Sequence, residues 1–257
     1  MKLVHLVPDM VALTGRMLRH NIRSPDTIMT VLGMPVMILL AFVFVLGGAM
    51  RTSGTRYVDY VVPAVVLMCV ASGAGYTAFR VNLDVSSGIF ARLHTMPIAR
   101  SAILGGHAVA SVAANAVSVA VILLVSLLIG YRPRANLAGW LLSAALVGLA
   151  LVMFASMGLA FGLMSRGVEG SSMFSYLVIG LLFVSSGFAP TSTMPTPLRA
   201  FADYQPMTPV INAIRDAQLG APRTADTWTA LAWLTGLAVA FGVLAHLTAP
   251  RRIRARL

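Results

Sequence analysis

Six stretches of the chain are almost continuously apolar, and the charged residues gather in the connections between them. The stretches cover 28–50, 60–79, 102–129, 137–164, 171–188 and 227–249, and none contains Asp, Glu, Lys or Arg. A hydrocarbon core about 30 Å thick takes roughly 20 apolar residues as helix. The pattern therefore predicts an all-α integral membrane protein with six transmembrane helices. The third and fourth stretches are long enough to tilt or to protrude from the bilayer. The fifth is short and rich in Ser and Gly.

Ahead of the first span the period changes. Leu3, Leu6, Val7, Met10, Val11, Leu13, Met17 and Leu18 favour one side of a helix, and His5, Asp9, Arg16, Arg19, His20 and Arg23 favour the other. Such a helix lies in the membrane interface with its arginines among headgroups. The same pattern also fits an amphipathic helix packed on the protein itself. Ser24-Pro25-Asp26 breaks it before the first span. The division is 1–25 as an amphipathic amino-terminal helix and 26–257 as the transmembrane domain. The opening residues do not read as a cleaved signal peptide, because Pro8-Asp9 ends a short apolar stretch that His5 already interrupts.

Composition sharpens this picture. The chain is 58% hydrophobic and 11% charged, against about 25% charged in soluble domains, so the apolar surplus must face lipid. A net charge of +11 raises nucleic acid as a partner, but the basic residues sit at the ends of apolar runs rather than in one solvated patch. Membrane lipid headgroups are the better match. With both termini inside, the cytoplasmic segments hold Lys2, Arg16, Arg19, Arg23, Arg80, Arg92, Arg100, Arg166, Arg251, Arg252, Arg254 and Arg256. The external ones hold Arg51, Arg56, Arg132, Arg134, Arg199, Arg215 and Arg223. The excess inside predicts a multi-pass cell-membrane protein with cytoplasmic termini.

Chemistry-bearing residues are sparse. Cys69 is the single cysteine, so no disulfide forms within the chain. Lys2 is the single lysine, and a P-loop needs its lysine inside Gly-x-x-x-x-Gly-Lys-Ser/Thr, so the chain holds no such ATP site. The five histidines, His5, His20, His94, His107 and His246, are scattered, and neither a metal site nor a catalytic arrangement emerges. His107 and His246 fall within spans, as functional groups or as hydrogen-bonded packing residues. All eight acids fall outside the expected spans, Glu169 among them in the short turn that also holds Arg166. Ion-driven transporters place carboxylates within the membrane, so ion coupling lacks an evident carrier.

Some small and polar residues in the spans also stand out. Gly158-x-x-x-Gly162 and Ala71-x-x-x-Gly75 allow close helix approach, within the chain or between subunits. Ser111, Asn115 and Ser118 share one side of the third span, lining a polar path or bonding to neighbouring helices. Pro35 and Pro63 predict kinks.

Two connections carry the most information. The link from Asp84 to Arg100 places Ile89, Leu93 and Met96 at helical spacing before Pro97 ends the turn. The segment 191–226 is external and holds Pro195, Pro197, Pro206, Pro209 and Pro222. Long connections without function are uncommon in compact proteins. Gly88-Ile89-Phe90-x-Arg92-Leu93-x-Thr95-Met96-Pro97-Ile98-x-Arg100, followed by Leu104-x-Gly106, resembles the signature of ABC type 2 permeases, in particular the daunorubicin-resistance permease branch. A second block agrees: Ser185-Ser186-Gly187-Phe188-Ala189-Pro190-x-x-x-Met194-Pro195, then Tyr204-Gln205-Pro206-x-Thr208-Pro209.

The resemblance implies the membrane subunit of an ATP-driven exporter. Gly88, Ile89, Phe90, Arg92, Leu93, Thr95, Met96, Pro97 and Arg100 would form a coupling helix docked on a separate ATP-binding subunit, present in two copies. Arg16, Arg19 and Arg23 would belong to a connecting helix near that interface. Pro190, Pro195, Tyr204, Gln205, Pro206 and Pro209 would lie in an external segment that dips back toward the membrane. A second permease subunit, identical or not, would complete the complex. This chain would bind no cofactor, ATP and Mg sitting on the partner. The uncharged spans suit a hydrophobic cargo: a drug, a natural product or a lipid. The rival readings are an ion-gradient-driven secondary transporter and a membrane scaffold that transports nothing.

Overall fold

The computed structural model describes residues 8, 10–11, 14–15, 17–18, 28–48, 56–89, 100–165, 167–220 and 225–254. Among these residues the secondary structure is helical throughout, without strands. An apolar helix opens the bundle, with α1 (Met34–Leu40) between two π-helical stretches, Met29–Gly33 and Ala41–Leu46. It is followed by α2 (Tyr57–Ser86), α3 (Arg100–Leu128), α4 (Leu137–Met164) and α5 (Val168–Phe183). A short 3-10 turn, Thr191–Thr193, leads to α6 (Thr196–Tyr204) and α7 (Met207–Leu219), and α8 (Ala225–Arg254) closes the chain.

Of the six expected spans, four are helices long and apolar enough to cross a membrane: α2, Ala102–Leu128 within α3, α4, and Ala225–Pro250 within α8. The first and fifth are shorter apolar helices, Val31–Leu46 and Met173–Phe183. The fifth stops before the expected 188 because Val184 leaves helical geometry at φ −89°, ψ 33°. The second helix overruns its expected limits of 60 and 79 at both ends. Its added turns hold Asp59 and Asp84, which a search for charge-free runs excludes. Each of these carboxylates has a basic partner: Arg56 at 3.0 Å from Asp59, and His107 at 3.4 Å from Asp84. The expectation that every acid lies outside the spanning helices is thereby corrected for these two and for Asp226, in the first turn of α8.

Helix α2 is the centre of the bundle, with 94% of its most apolar window buried. It packs against α4, α5 and α3, while α8 lies along α4. The small-residue motifs explain the closeness of α2 and α4. A Cβ on Gly158 would meet the Ala74 carbonyl at 2.6 Å, and one on Gly162 would meet that of Ala78 at the same distance. Gly75 faces the other way, onto Ser175 of α5. Both motifs therefore serve packing inside the chain. The outer surfaces of α3, α4 and α8 remain apolar and exposed, with Val117, Leu124, Leu141, Val152, Val239 and Leu247 among them. This is the distribution expected when lipid is the solvent.

Pro35 falls in the first turn of α1, immediately after the π-helical stretch. Proline lacks the N–H that would return to the carbonyl four residues earlier, here Val31. The thiol of Cys69 points at that carbonyl from α2, with Sγ 3.5 Å from the oxygen. Cys69 is buried, so its role is packing with a weak donor bond.

Contacts between helix ends define two faces. On one, Asn82 Nδ2 donates to Ser165 O at 2.8 Å and Asp84 meets His107, which brings together the end of α2, the start of α3 and the end of α4. On the opposite face, the Arg132 backbone N–H donates to Asp59 at 2.9 Å and that of Arg134 to Gln218 O at 2.9 Å. The turn after α5 and both short helices α6 and α7 belong to this second face.

Candidate functional site

The second face carries a continuous polar network built on Arg215 of α7. Its guanidinium is buried, 8% exposed. Nε donates to the Tyr60 carbonyl at 3.1 Å, Nη1 to Asn212 Oδ1 at 3.0 Å and Nη2 to the Ser186 carbonyl at 2.9 Å. The cation also sits 3.7 Å from the centroid of the Tyr60 ring, a cation–π arrangement that gains strength away from water. Burial pulls the pKa of Arg215 below its ordinary value, while Tyr60, Asp216 and Tyr57 act in the opposite direction.

The turn after α5 is fixed from several sides at once. Tyr57 Oη donates to the Phe188 carbonyl at 2.9 Å and Tyr60 Oη to that of Ser186 at 2.6 Å. The Ser186 N–H donates to Thr208 Oγ1 at 3.2 Å, and Ser186 Oγ donates to Asn212 Oδ1 at 2.7 Å. Gln205 Nε2 reaches back to the Leu181 and Val184 carbonyls at 2.9 and 3.0 Å. A helix that ends inside a protein leaves carbonyls in need of donors; the Gln205 amide supplies them. Asn212 Nδ2 continues the network to Asp226 at 2.9 Å, at the start of α8. The two halves of the second sequence block, 185–195 and 204–209, are thus the two sides of one hydrogen-bonded unit.

The remaining residues of that block take distinct positions. Pro190 precedes the 3-10 turn and Pro195 precedes α6. Pro206 stands immediately before α7, and Pro209 is buried within its first turn. Tyr204 is 84% exposed and shares an outward face of α6 with Leu198 and Phe201. Tyr131 Oη donates to Gln218 Oε1, tying the α3–α4 connection to the same unit. Burial, aided by Asp59, raises the Tyr131 pKa and keeps that donor protonated.

A second polar region follows the α2–α3 seam from the opposite face into the bundle. Asp84 and His107 are buried at its end. Further in, Thr77 Oγ1 donates to Gly73 O at 2.9 Å and lies 2.7 Å from Ser111 Oγ. Asn115 Nδ2 donates to Ser111 O at 2.9 Å and reaches Ser111 Oγ at 3.4 Å. Ser118 Oγ donates to Ala114 O at 3.2 Å. These residues bond along α3 and across to α2, and they line a mainly apolar cavity of about 300 Å³ between the π-helical stretch Met29–Gly33, α2 and α3, with Leu18 also on its wall. His107 is paired with Asp84, whereas His246 is exposed on α8.

Of the expected coupling segment, Gly88 closes α2 in a left-handed turn at φ +74°, Ile89 follows it, and Arg100 opens α3. Phe90, Arg92, Leu93, Thr95, Met96 and Pro97 lie outside the described residues, as do Arg16, Arg19 and Arg23. Sequence reasoning missed Arg215 as a buried anchor and counted it as an external surface charge. One signal was present: Arg215 follows Ile211 by four residues, on the apolar side of α7. It also missed the Asp84–His107 pair, which no linear spacing announces.

Residues 8–219 match the sequence model of a family described as ABC-2 type transporter. The chain is 29% identical over 230 residues to the daunorubicin resistance ABC transporter permease protein DrrB1 of Streptomyces coeruleorubidus, covering 86% of this chain and 78% of that protein. It is 24% identical over 234 residues to the probable doxorubicin resistance ABC transporter permease protein DrrC of Mycobacterium tuberculosis, covering 90% of this chain and 84% of that one.

Proposed function

This chain belongs to the ABC-2 type transporter family and is a membrane permease subunit of an ABC exporter, and on that premise we propose how it takes up energy and what it moves. The observation that carries the reading is the family match, which spans both sequence blocks and all helices from α1 to α7. ATP and Mg act on a separate ATP-binding chain, two copies of which serve a pair of permease subunits. Gly88, Ile89, Phe90, Arg92, Leu93, Thr95, Met96, Pro97 and Arg100 form the coupling helix that receives their movement. It joins the ends of α2 and α3, on the face that also holds Ser165 and the last turns of α8.

In this reading that face is cytoplasmic and both termini share it. Arg16, Arg19 and Arg23 lie on a connecting helix beside the same interface. The first and fifth apolar helices complete six crossings with α2, α3, α4 and α8. The external face carries the re-entrant unit from Pro190 to Gly220, including Pro195, Tyr204, Gln205, Pro206 and Pro209. Trp140 near the start of α4 and Trp228 near the start of α8 are exposed on that side, as residues of a membrane–water interface are. The outward Leu198, Phe201 and Tyr204 of α6 suit the same level.

ATP binding closes the ATPase pair, displaces the coupling helices and shifts the bundles from inward- to outward-accessible states. That requires the nucleotide to favour one state over the other. The cargo is a hydrophobic drug, natural product or lipid, supported by the uncharged lipid-facing helices and by the drug-resistance relatives. The test is cargo-stimulated ATP hydrolysis by the reconstituted complex of permease and ATP-binding subunit. Stimulation by lipophilic drugs is expected. Stimulation by polar glycans alone would overturn the cargo class, and transport under an ion gradient without any ATPase would overturn the energy source.

A further inference from the structure

The two helices that the coupling segment joins are fastened to each other at its base. Asp84 stands in the last turn of α2 and His107 about two turns into α3. The chain between them, 85–106, contains the whole segment 88–100. Asp84 Oδ2 lies 3.4 Å from His107 Nε2, and the two residues are 4% and 5% exposed. A carboxylate buried this far needs a partner, and here the partner comes from the far side of the segment. The pair therefore closes the neck of the loop that carries it.

The two stems of that loop are held differently. The end of α2 is fixed to α4: Asn82 Nδ2 donates to the Gly162 and Ser165 carbonyls at 3.2 and 2.8 Å, and Val81 and Val85 are buried with Leu159 and Leu163. Helix α3 is less enclosed, with 28% of its most apolar window buried against 94% for α2. Its polar contacts with α2 recede from the segment in order. His107 meets Asp84, then Ser111 lies 2.7 Å from Thr77, then Asn115 packs on Gly73. Of these three contacts, Asp84–His107 is nearest the segment and alone joins two ionisable groups. A loop with an open neck absorbs a displacement by splaying its stems. A closed neck hands the displacement to both stems together.

We propose that Asp84 and His107 are positioning residues for energy transfer: the closed pair makes the ends of α2 and α3 move together when the coupling segment is displaced, so that ATP hydrolysis on the partner chain is converted into movement of cargo. The inference rests on the permease reading, and within it the pair acts through the helices rather than on cargo or nucleotide. The clamp needs a donor facing the carboxylate. Gln, with an amide N–H, can replace the imidazole in that role, and Leu cannot. Arg80, one turn before Asp84 on α2, lines the same small pocket as His107. A cation thus stays near the carboxylate when the imidazole is removed.

The test uses the full-length permease reconstituted with its ATP-binding subunit in proteoliposomes, with daunorubicin as the probe. Drug moved and ATP hydrolysed are measured in the same vesicles. His107→Leu and Asp84→Leu are each expected to lower the drug moved per ATP at least about fivefold, the smaller end of common coupling effects, while the ATP-binding subunit still co-purifies. The double variant should fall no further than either single one, because a clamp is lost only once. His107→Gln should keep most of the ratio. Asp84→Asn keeps the size of the side chain but loses the charge that strengthens the bond. It should lower the ratio less than leucine does, and it keeps the test readable if a leucine variant misfolds, which the thermal midpoint reveals. An unchanged ratio in Asp84→Asn and in the folded leucine variants would overturn the clamp, as would additive losses in the double variant. Transport and hydrolysis falling in proportion would do the same, since a packing defect leaves the ratio unmoved. No ATP-driven daunorubicin movement by the unsubstituted complex would instead sink the drug-export reading, and the inference with it.

Discussion

The two polar regions of this molecule use similar residues to opposite ends. At the face that holds α6 and α7, Arg215, Gln205, Asn212 and the Tyr57–Tyr60 pair direct side-chain donors at backbone carbonyls and at Asp226, and tie four separate elements together. Along the α2–α3 seam, Thr77, Ser111 and Asn115 are short side chains that bond mostly within a turn or across one helix pair. Each region leaves an acceptor over, Gln205 Oε1 in one and Asn115 Oδ1 in the other. Asn115 is among the residues that line a cavity of about 300 Å³. The first network holds a turn in place where a helix has ended; the second borders a cavity between helices.

That contrast can be broken by stability measurements. The largest effect is expected for Arg215→Leu, which strips the Tyr60 and Ser186 carbonyls of a charged donor and removes the cation from the ring. A hydrogen bond to a charged group contributes about 1.5–3 kcal/mol and Arg215 makes three, a loss read as a lower thermal midpoint of the purified protein. Arg215→Lys should recover little of it, because an ammonium group cannot reproduce the three-way fork. Gln205→Leu comes next, at about 2 kcal/mol, since the end of α5 loses two donors. Thr77→Val should cost about 1 kcal/mol or less in the same measurement. Equal losses for Thr77→Val and Gln205→Leu would erase the distinction between anchor and cavity border. Phe90→Asp and Arg92→Glu should leave the midpoint unmoved while weakening co-purification of the ATP-binding subunit. Normal association in both variants would remove the coupling role from that segment.

The helices were legible in the sequence to the extent that charge marks their ends. The fourth stretch, 137–164, coincides with α4 because Asn136 caps it, accepting from the Gly139 N–H at 2.9 Å, and Arg166 follows it. The second stretch was cut short because Asp59, Arg80 and Asp84 read as loop charges; only a third dimension reveals their company. Gln205 and Thr208 were noted through resemblance, but their bonds to Val184 and Ser186 join segments more than twenty residues apart in the chain. Arg215 was misread for the same reason: a cation on an apolar helix face is a topology signal in one dimension and an anchor in three. Ser111, Asn115 and Ser118 were visible by their spacing, whereas the cavity depends on the π-helical stretch Met29–Gly33 and on α2, whose placement no period along α3 encodes.

The contact of Gly158 and Gly162 with the carbonyls of Ala74 and Ala78 bears on how such a machine could move. Helices this close pack ridge into groove, and interfaces so packed switch between discrete arrangements rather than slide smoothly. Helices α2 and α4 are therefore expected to move as one body in any rearrangement of the bundle.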